Sequence, residues 1–323
     1  MSLKEKIKVK VAEHGKRLDV FLSDRLGITR SQIKKMFDHS FVFVNNEIPN
    51  KAGYAVQRGD IVEIREVIDP KSSIATKETG VDFDVEVIEE NKDFIVINKP
   101  SGILVHPTMA GEGNTLKDWA VEKYPDIASV GESVVRPGIV HRLDREASGL
   151  MVIARTQKMF EHIKKQFKDR VVDKEYKVLV YGQIDSEHEV VNFDIDRNKK
   201  DGRMVSRPKI DKMKLKNVGK DQPGRNALSE FWVEEKYIRF TLLRVKIHTG
   251  RTHQIRVHMF AFGHPVFGDH LYLNKKLIKK SDHKLGRLFL HAEKLCFTDL
   301  AGEKRCFHAG LPKKLENHLK NLK

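Results

Sequence analysis

A chain of 323 residues, 40% hydrophobic and 33% charged, has the composition of a globular protein with room for two domains. Its formal net charge of +15 and pI of about 9.6 call for a polyanionic partner, nucleic acid first and an anionic membrane surface second. No stretch approaches the ~18 apolar residues of a membrane span, and the opening Met1 to Lys10 lacks a signal-peptide apolar region, so the expected location is the cytoplasm, without membrane association.

Residues 14–68 read as a small separate module. Leu18, Phe21, Leu22 and Leu26 fall near helical spacing. A second helix is expected from Thr29, where Gln32 completes a capping box, burying Ile33, Met36 and Phe37. A strand at Phe41 to Val44, a tight turn at Asn45-Asn46 and a further strand at Gly59 to Ile64 follow. Arg30 and Lys34 stand one turn apart on the polar side of the second helix, with Lys16, Arg17 and Arg25 adding charge nearby. This order of elements, with Arg17-Leu18-Asp19, Thr29-Arg30-Ser31-Gln32-Ile33-Lys34, Val42-Phe43-Val44-Asn45 and Arg58-Gly59-Asp60, resembles the S4 RNA-binding domain, an αL-like fold. The resemblance implies a helix pair laid on structured RNA through phosphates and shape, with Arg17, Arg30 and Lys34 as RNA contacts.

A polar stretch over 69–82, with Pro70, Ser72, Ser73 and Thr76, reads as a linker, and 83–315 as a second domain. Val85 to Ile88 and Phe94 to Ile97 are expected strands; Leu150 to Ala154 is a buried one. Thr156 caps a helix with Phe160, Ile163 and Phe167 on one side. Strands are expected again at Tyr176 to Gly182, Phe240 to Ile247 and Leu288 to His291. Without a βαβ rhythm, these elements argue for an α+β domain with a mixed, mostly antiparallel sheet.

Between Arg197 and Arg225 eleven Lys/Arg face three Asp, a surplus of eight that is more than half of the net charge. A mobile, phosphate-contacting arm is the expectation, with Arg203 and Arg207 among its RNA contacts, against an ordinary solvated loop. Cys296 and Cys306 belong to no C-x-x-C pair and are expected as reduced core residues. The spacings of His253 with His258 and of His264 with His270 do not bring both rings to one helical face, so no metal site is expected.

Asp144 stands in His141-Arg142-Leu143-Asp144-Arg145 just before an apolar run. Flanking Arg142 and Arg145 favour its charged form, which suits a nucleophile better than a proton donor. On spacing alone, a structural ion pair is the commoner meaning of such a neighbourhood. Two further segments join it: Asp173-Lys174-Glu175-Tyr176-Lys177-Val178-Leu179-Val180-Tyr181-Gly182, and Ile247-His248-Thr249-Gly250-Arg251-Thr252-His253-Gln254-Ile255-Arg256-Val257-His258 running on to Gly268-Asp269. With Asn98-Lys99-Pro100-Ser101-Gly102 and Leu290-His291-Ala292, in this order, the chain from about residue 83 resembles the RluA family of pseudouridine synthases. The S4-like module ahead of it resembles the RluC/RluD-like branch that modifies large-subunit ribosomal RNA.

The resemblance implies that Asp144 is the essential carboxylate, Arg256 its ion-pair partner, and Tyr176 a group that stacks on uracil or takes part in proton transfer at C5. Ile255 packs on the other side of the base. Arg142 fills the space left by a flipped uridine, and His141 stands beside it at the substrate. No cofactor or metal is implied, the partner is RNA, and a monomer is expected. The main rival is a non-catalytic RNA-binding ribosome-assembly factor. A methyltransferase would need a G-x-G loop opening a helix after a strand, and Gly111-Glu112-Gly113 lies in the wrong context.

Overall fold

In a computed structural model of the chain, residues 2–26, 33, 37, 42–49, 51, 53–66, 81–107, 113–133, 136–198, 202–208 and 224–322 are described here. They fold as two compact units, Met1–Gly80 and Val81–Lys323.

In the first unit the strands β1 (Ser2–Lys8), β2 (Val42–Val44) and β3 (Ile61–Glu66) form an antiparallel sheet with β3 in the middle. β1 lies ahead of the expected module boundary at residue 14. Only Leu3 and Ile7 interrupt its polar sequence, yet it pairs with β3 along its length. Helix α1 (Leu18–Leu26) buries Leu18, Phe21 and Leu22 with Ile33, Val42, Val62 and Ile64 in one core. Asn45 and Asn46 take the left-handed conformation (φ 52° and 71°) between Val44 and Glu47, which exchange both backbone hydrogen bonds. Asn tolerates positive φ in such a turn, which is why this pair marked it in the sequence. Most of the expected second helix, with Arg30 and Lys34, lies outside the described residues.

The second unit is built on a nine-stranded sheet. Its members are β4 (Glu86–Glu90), β5 (Phe94–Lys99), β6 (Ser148–Ala154), β7 (Asp173–Tyr181), β8 (His188–Val191), β11 (Ser229–Lys236), β12 (Phe240–Ile247), β13 (Leu290–Thr298) and β14 (Lys304–His308), in the order β4-β5-β6-β13-β7-β12-β11-β8 with β14 on β13. Every pairing is antiparallel except β6 with β13. A separate hairpin joins β9 (Phe193–Arg197) to β10 (Met204–Pro208). The basic segment 197–225 therefore contains a strand as well as loop; its residues 199–201 and 209–223 lie outside the described ones.

Successive side chains of a strand alternate between faces, and here both faces are covered. Ile95, Ile97, Met151 and Ile153 share a core with Trp119 of helix α2 (Leu116–Lys123), while Phe94, Val96, Leu150 and Val152 meet Met159, Phe160 and Ile163 of helix α3 (Gln157–Asp169). Burial on both faces explains why β6 reads as an unbroken apolar run. Thr156 caps α3 by accepting the Met159 N–H at 3.2 Å. Helix α4 (Gln254–Ala261) is nearly all buried, and helix α5 (Lys313–Lys320) anchors Leu315 in a further core with Leu179, Phe267 and Phe289. No helix among the described residues is long and apolar enough to cross a membrane.

Cys296 and Cys306 correct the expectation of two free thiols. They are direct partners across β13 and β14, with Cα atoms 4.2 Å apart, and they are joined in a disulfide. Ten residues apart, they meet only because the strand ends turn back at Thr298–Lys304.

Candidate active site

Asp144 opens the tight turn that leads into β6; its carbonyl accepts the Ala147 N–H. Two devices hold that turn. Lys99, wholly buried at the end of β5, donates to the carbonyls of Pro100, Ile103 and Arg145, and Ser101 Oγ donates to the Glu146 carbonyl at 2.6 Å. Burial drives the Lys99 ammonium down to about 7, with Arg287 adding repulsion and Asp144 opposing it. Behind the turn, Gly149 (φ 119°) lies against Ala292 at the parallel β6–β13 contact, where a Cβ would fall 2.3 Å from the Ala292 carbonyl oxygen. Only glycine permits this approach.

Two groups face the Asp144 carboxylate, Arg256 and His253. Arg256 on α4 donates from Nη1 to Asp144 Oδ2 at 3.1 Å, and from Nε and Nη2 to Asp269 at 2.7 and 2.9 Å. Asp269, fully enclosed, also accepts the backbone N–H groups of Leu271 and Tyr272 at 2.8 and 3.0 Å. Although burial opposes its charge, the hydrogen bonds and charges of Asp269 and Asp144 raise the Arg256 guanidinium above its ordinary value. This is a bidentate fork aimed by one carboxylate at another. His253, the left-handed N-cap of α4, turns Nε2 toward Asp144 Oδ1 at 3.9 Å while Nδ1 meets Tyr272 Oη at 2.9 Å. Tyr272 Oη accepts the Met204 N–H of β10. In the tautomer in which the Tyr272 hydroxyl donates to Nδ1, the His253 proton sits on Nε2, facing the carboxylate. Burial lowers His253 below the usual imidazole value, against the pull of Asp144.

Tyr176 on β7 and Ile255 on α4 complete a cleft of about 100 Å³, together with Arg142, Asp144, His253 and Arg256. Burial, then the Asp144 charge, pushes the Tyr176 phenol up, so it stays protonated through neutral pH. The arrangement offers a charged carboxylate held from one side, a flat ring and an apolar wall.

Of the residues expected from sequence, Asp144, Tyr176, Arg142, Ile255 and Arg256 meet at this cleft. Arg142 is exposed and lies 3.3 Å from His106 Nε2. His141 lines only the neighbouring, larger cleft, and its ring is engaged in structure: Nε2 accepts the Val152 N–H at 3.0 Å and the ring stacks on Phe167 at 4.6 Å. Arg17 is half exposed and bonded to Asp19 through Nε and Nη2, both at 3.0 Å. Arg203 is exposed, and Arg207 sits in β10 opposite Asp194. Lys99, Asp269 and Tyr272 were not singled out by sequence reasoning, and His253 was weighed there only as a metal ligand and set aside. Lys99 and Asp269 do lie inside the recognisable motifs, but their roles depend on carbonyls and a guanidinium that only the fold brings to them.

Two histidines, the half-buried His141 and the buried His258, carry a prediction about acid. His141 is driven down to about 3 by burial and by Lys174, and His258, between Ser229 Oγ and the Phe193 carbonyl, to about 4 by burial. Unfolded, both titrate near 6.5. Depressed folded values mean that the unfolded chain binds the extra protons first, so stability is held above about pH 6.5 and lost as the pH falls toward 4. His141→Asn offers a non-titrating acceptor to Val152 N–H; thermal unfolding between pH 7 and 4.5 should be less pH-dependent in this variant, and an unchanged profile would contradict the assignment.

Comparison with known proteins gives this geometry a family context. The family described as RNA pseudouridylate synthase matches residues 93–261, and the S4 domain matches residues 16–62. An uncharacterized RNA pseudouridine synthase of Aquifex aeolicus is 37% identical over 84% of this chain and 81% of that protein. The uncharacterized RNA pseudouridine synthase YlyB of Bacillus subtilis is 32% identical over 96% of this chain and 95% of its own length. Ribosomal large subunit pseudouridine synthase D of Blochmanniella floridana is 34% identical over 82% of this chain and 78% of its own. Among solved structures, human RNA pseudouridylate synthase domain containing 1 superposes with a TM-score of 0.55 at 26% identity, covering 73% of this chain and 85% of that one.

Proposed function

The chain belongs to the RNA pseudouridylate synthase family, with an S4 domain ahead of the synthase domain, and from that premise we propose that it isomerises uridine in large-subunit ribosomal RNA through Asp144. Uridine isomerisation breaks the N1–C1′ bond, turns the uracil and forms a C5–C1′ bond; C5 loses a proton and N1 gains one. Nothing is oxidised or reduced, and the reading assigns no cofactor. The observation that carries it is the Asp144 carboxylate held at Oδ2 by Arg256, which is itself fixed by Asp269. Its other oxygen is left for the nucleotide.

Each neighbour then has a task. Tyr176 is the platform on which the flipped uracil stacks, with Ile255 on the opposite side of the ring. His253 is a positioning residue: its Nε2 proton, held there by Tyr272, steadies Asp144 Oδ1 once substrate closes the 3.9 Å gap. Arg142, exposed at the mouth, takes the place of the uridine in the stack. Arg17, Arg30, Lys34, Arg203 and Arg207 are assigned to the RNA backbone. The same reading assigns the protein to the cytoplasm, as a monomer.

Base–aromatic stacking contributes about 1–3 kcal/mol per base. Tyr176→Leu should therefore lose that much in kcat/KM, and Tyr176→Phe should recover the part expressed in RNA affinity. A Phe variant that binds as weakly as the Leu variant would remove the stacking role.

The large-subunit target has its support in the name of the Blochmanniella floridana relative and in the S4 domain. It is tested by treating protein-free large- and small-subunit ribosomal RNA with the enzyme and mapping pseudouridine by carbodiimide modification and primer extension. New stops confined to the large-subunit RNA are expected. Stops in the small-subunit RNA alone would replace the target and leave the chemistry intact.

A further inference from the structure

Beside the base pocket lies a second cleft of about 500 Å³, which shares Arg142, Tyr176 and Arg251 with it. Six cations line it, Arg136, Arg142, Lys168, Arg170, Lys174 and Arg251, and no carboxylate does. None of the six forms an ion pair with a described residue. On the neighbouring strands, by contrast, Lys177, Arg244, Lys246 and Lys294 are each matched by Asp or Glu. Unpaired like charges repel one another, and a site that keeps them together is built for an anion that arrives from outside.

We propose that this cleft binds the phosphodiester backbone next to the flipped uridine, with Lys174 and Arg170 among its phosphate contacts. The proposal rests on the reading of the chain as an enzyme acting on uridine in RNA. Lys174 stands two residues before Tyr176 on β7, so both side chains leave the same face of the strand and line the same cleft, roughly 7 Å apart along the strand. A nucleotide whose base lies on Tyr176 brings its neighbouring phosphate to that distance. Lys174 does not reach into water as a solvated surface lysine does. It is half-buried, with its ammonium 5.2 Å from the centre of the Phe167 ring, and burial lowers it to about 8.

Arg170 supplies an independent observation. It is the residue that ends α3, at φ 62°, where glycine is the residue of least cost. An exposed arginine is kept at this strained position, on the rim of the cleft. On the same wall, His106 Nδ1 is buried without a hydrogen-bond partner among the described residues.

The test measures binding of a fluorescein-labelled oligouridylate by anisotropy across a salt series, using the full chain. Removing one phosphate-binding cation should flatten the slope of log K against log salt by about 0.7 for a single strand. Lys174→Gln and Arg170→Gly should each weaken binding several-fold and flatten the slope, Lys174→Arg should restore both, and Arg170→Gly should also raise the melting temperature. Lys313→Gln at the start of α5 removes an equal charge away from the cleft and should leave the slope unaltered. Folded Lys174→Gln and Arg170→Gly proteins with wild-type slopes would overturn the proposal; if only Lys174→Gln misfolds, Arg170→Gly decides it. Failure of the wild type to release tritium from 5-tritiated ribosomal RNA, with the slopes changed as expected, would instead sink the functional reading and leave the cleft as an RNA site.

Discussion

Asp144→Asn is expected to lower turnover by roughly 10⁴-fold or more while leaving RNA affinity within a few-fold of wild type. The substitution is isosteric. An Asn carbonyl can still accept from Arg256 Nη1, so the turn before β6, tied down by Lys99 and Ser101, should keep its shape. What disappears is the negative charge and the nucleophilic or basic oxygen facing the nucleotide. Affinity should hold because the carboxylate repels phosphate, and removing it takes nothing from the cations around it. Single-turnover kinetics with saturating enzyme check both halves. An Asn protein that retains a tenth of wild-type turnover would remove Asp144 from the chemistry.

The second large effect belongs to Asp269, which has no assigned contact with substrate. Truncation to Ala removes two hydrogen bonds from Arg256 and the acceptor for two backbone N–H groups, in a place closed to water. Breaking a buried ion pair from one side costs about 3–5 kcal/mol. For a domain of this size that corresponds to a fall of roughly 10 °C in melting temperature. Activity should fall as well, because Arg256 would swing toward Asp144 unsupported, and a displacement of about 1 Å at a reacting group can cost 10²-fold. Asp269→Asn separates the two consequences: it keeps an acceptor for Leu271 and Tyr272 but loses the charge. It should melt closer to wild type and still turn over slowly. Arg256→Lys should resemble it, since a single ammonium cannot span Asp144 and Asp269 together. Wild-type turnover in either protein would mean that the fork does not aim Asp144.

How much of this was legible in the sequence follows from what each residue does. β6 and β12 could be read because an apolar run or alternation is imposed by the cores on either side. β1 could not, since its pairing with β3 is made by the backbone and its side chains are mostly charged. The β9–β10 hairpin was obscured in the same way by the basic residues around it. In the site, Asp144, Tyr176 and Arg256 came from motif resemblance, and the fold brings them to one cleft. Asp269 and Tyr272 carry no local mark of their task, because both act through α4, which is adjacent only after folding. His141 sits in the most conspicuous motif and on the wall of the larger cleft, where its imidazole is engaged by Val152 and Phe167, contacts made only by the fold. The cysteines were read from their lack of a C-x-x-C spacing rather than from register, and the register of β13 against β14 decides their pairing.

If this chain rearranges uridine in RNA, it must release tritium from 5-tritiated, unmodified large-subunit ribosomal RNA, because forming the C5–C1′ bond expels the C5 hydrogen to water. The wild type should release tritium in proportion to the pseudouridine formed, and Asp144→Asn should release none. RNA binding by a folded wild-type protein with no release from large- or small-subunit RNA would contradict the account and favour the binding-only rival.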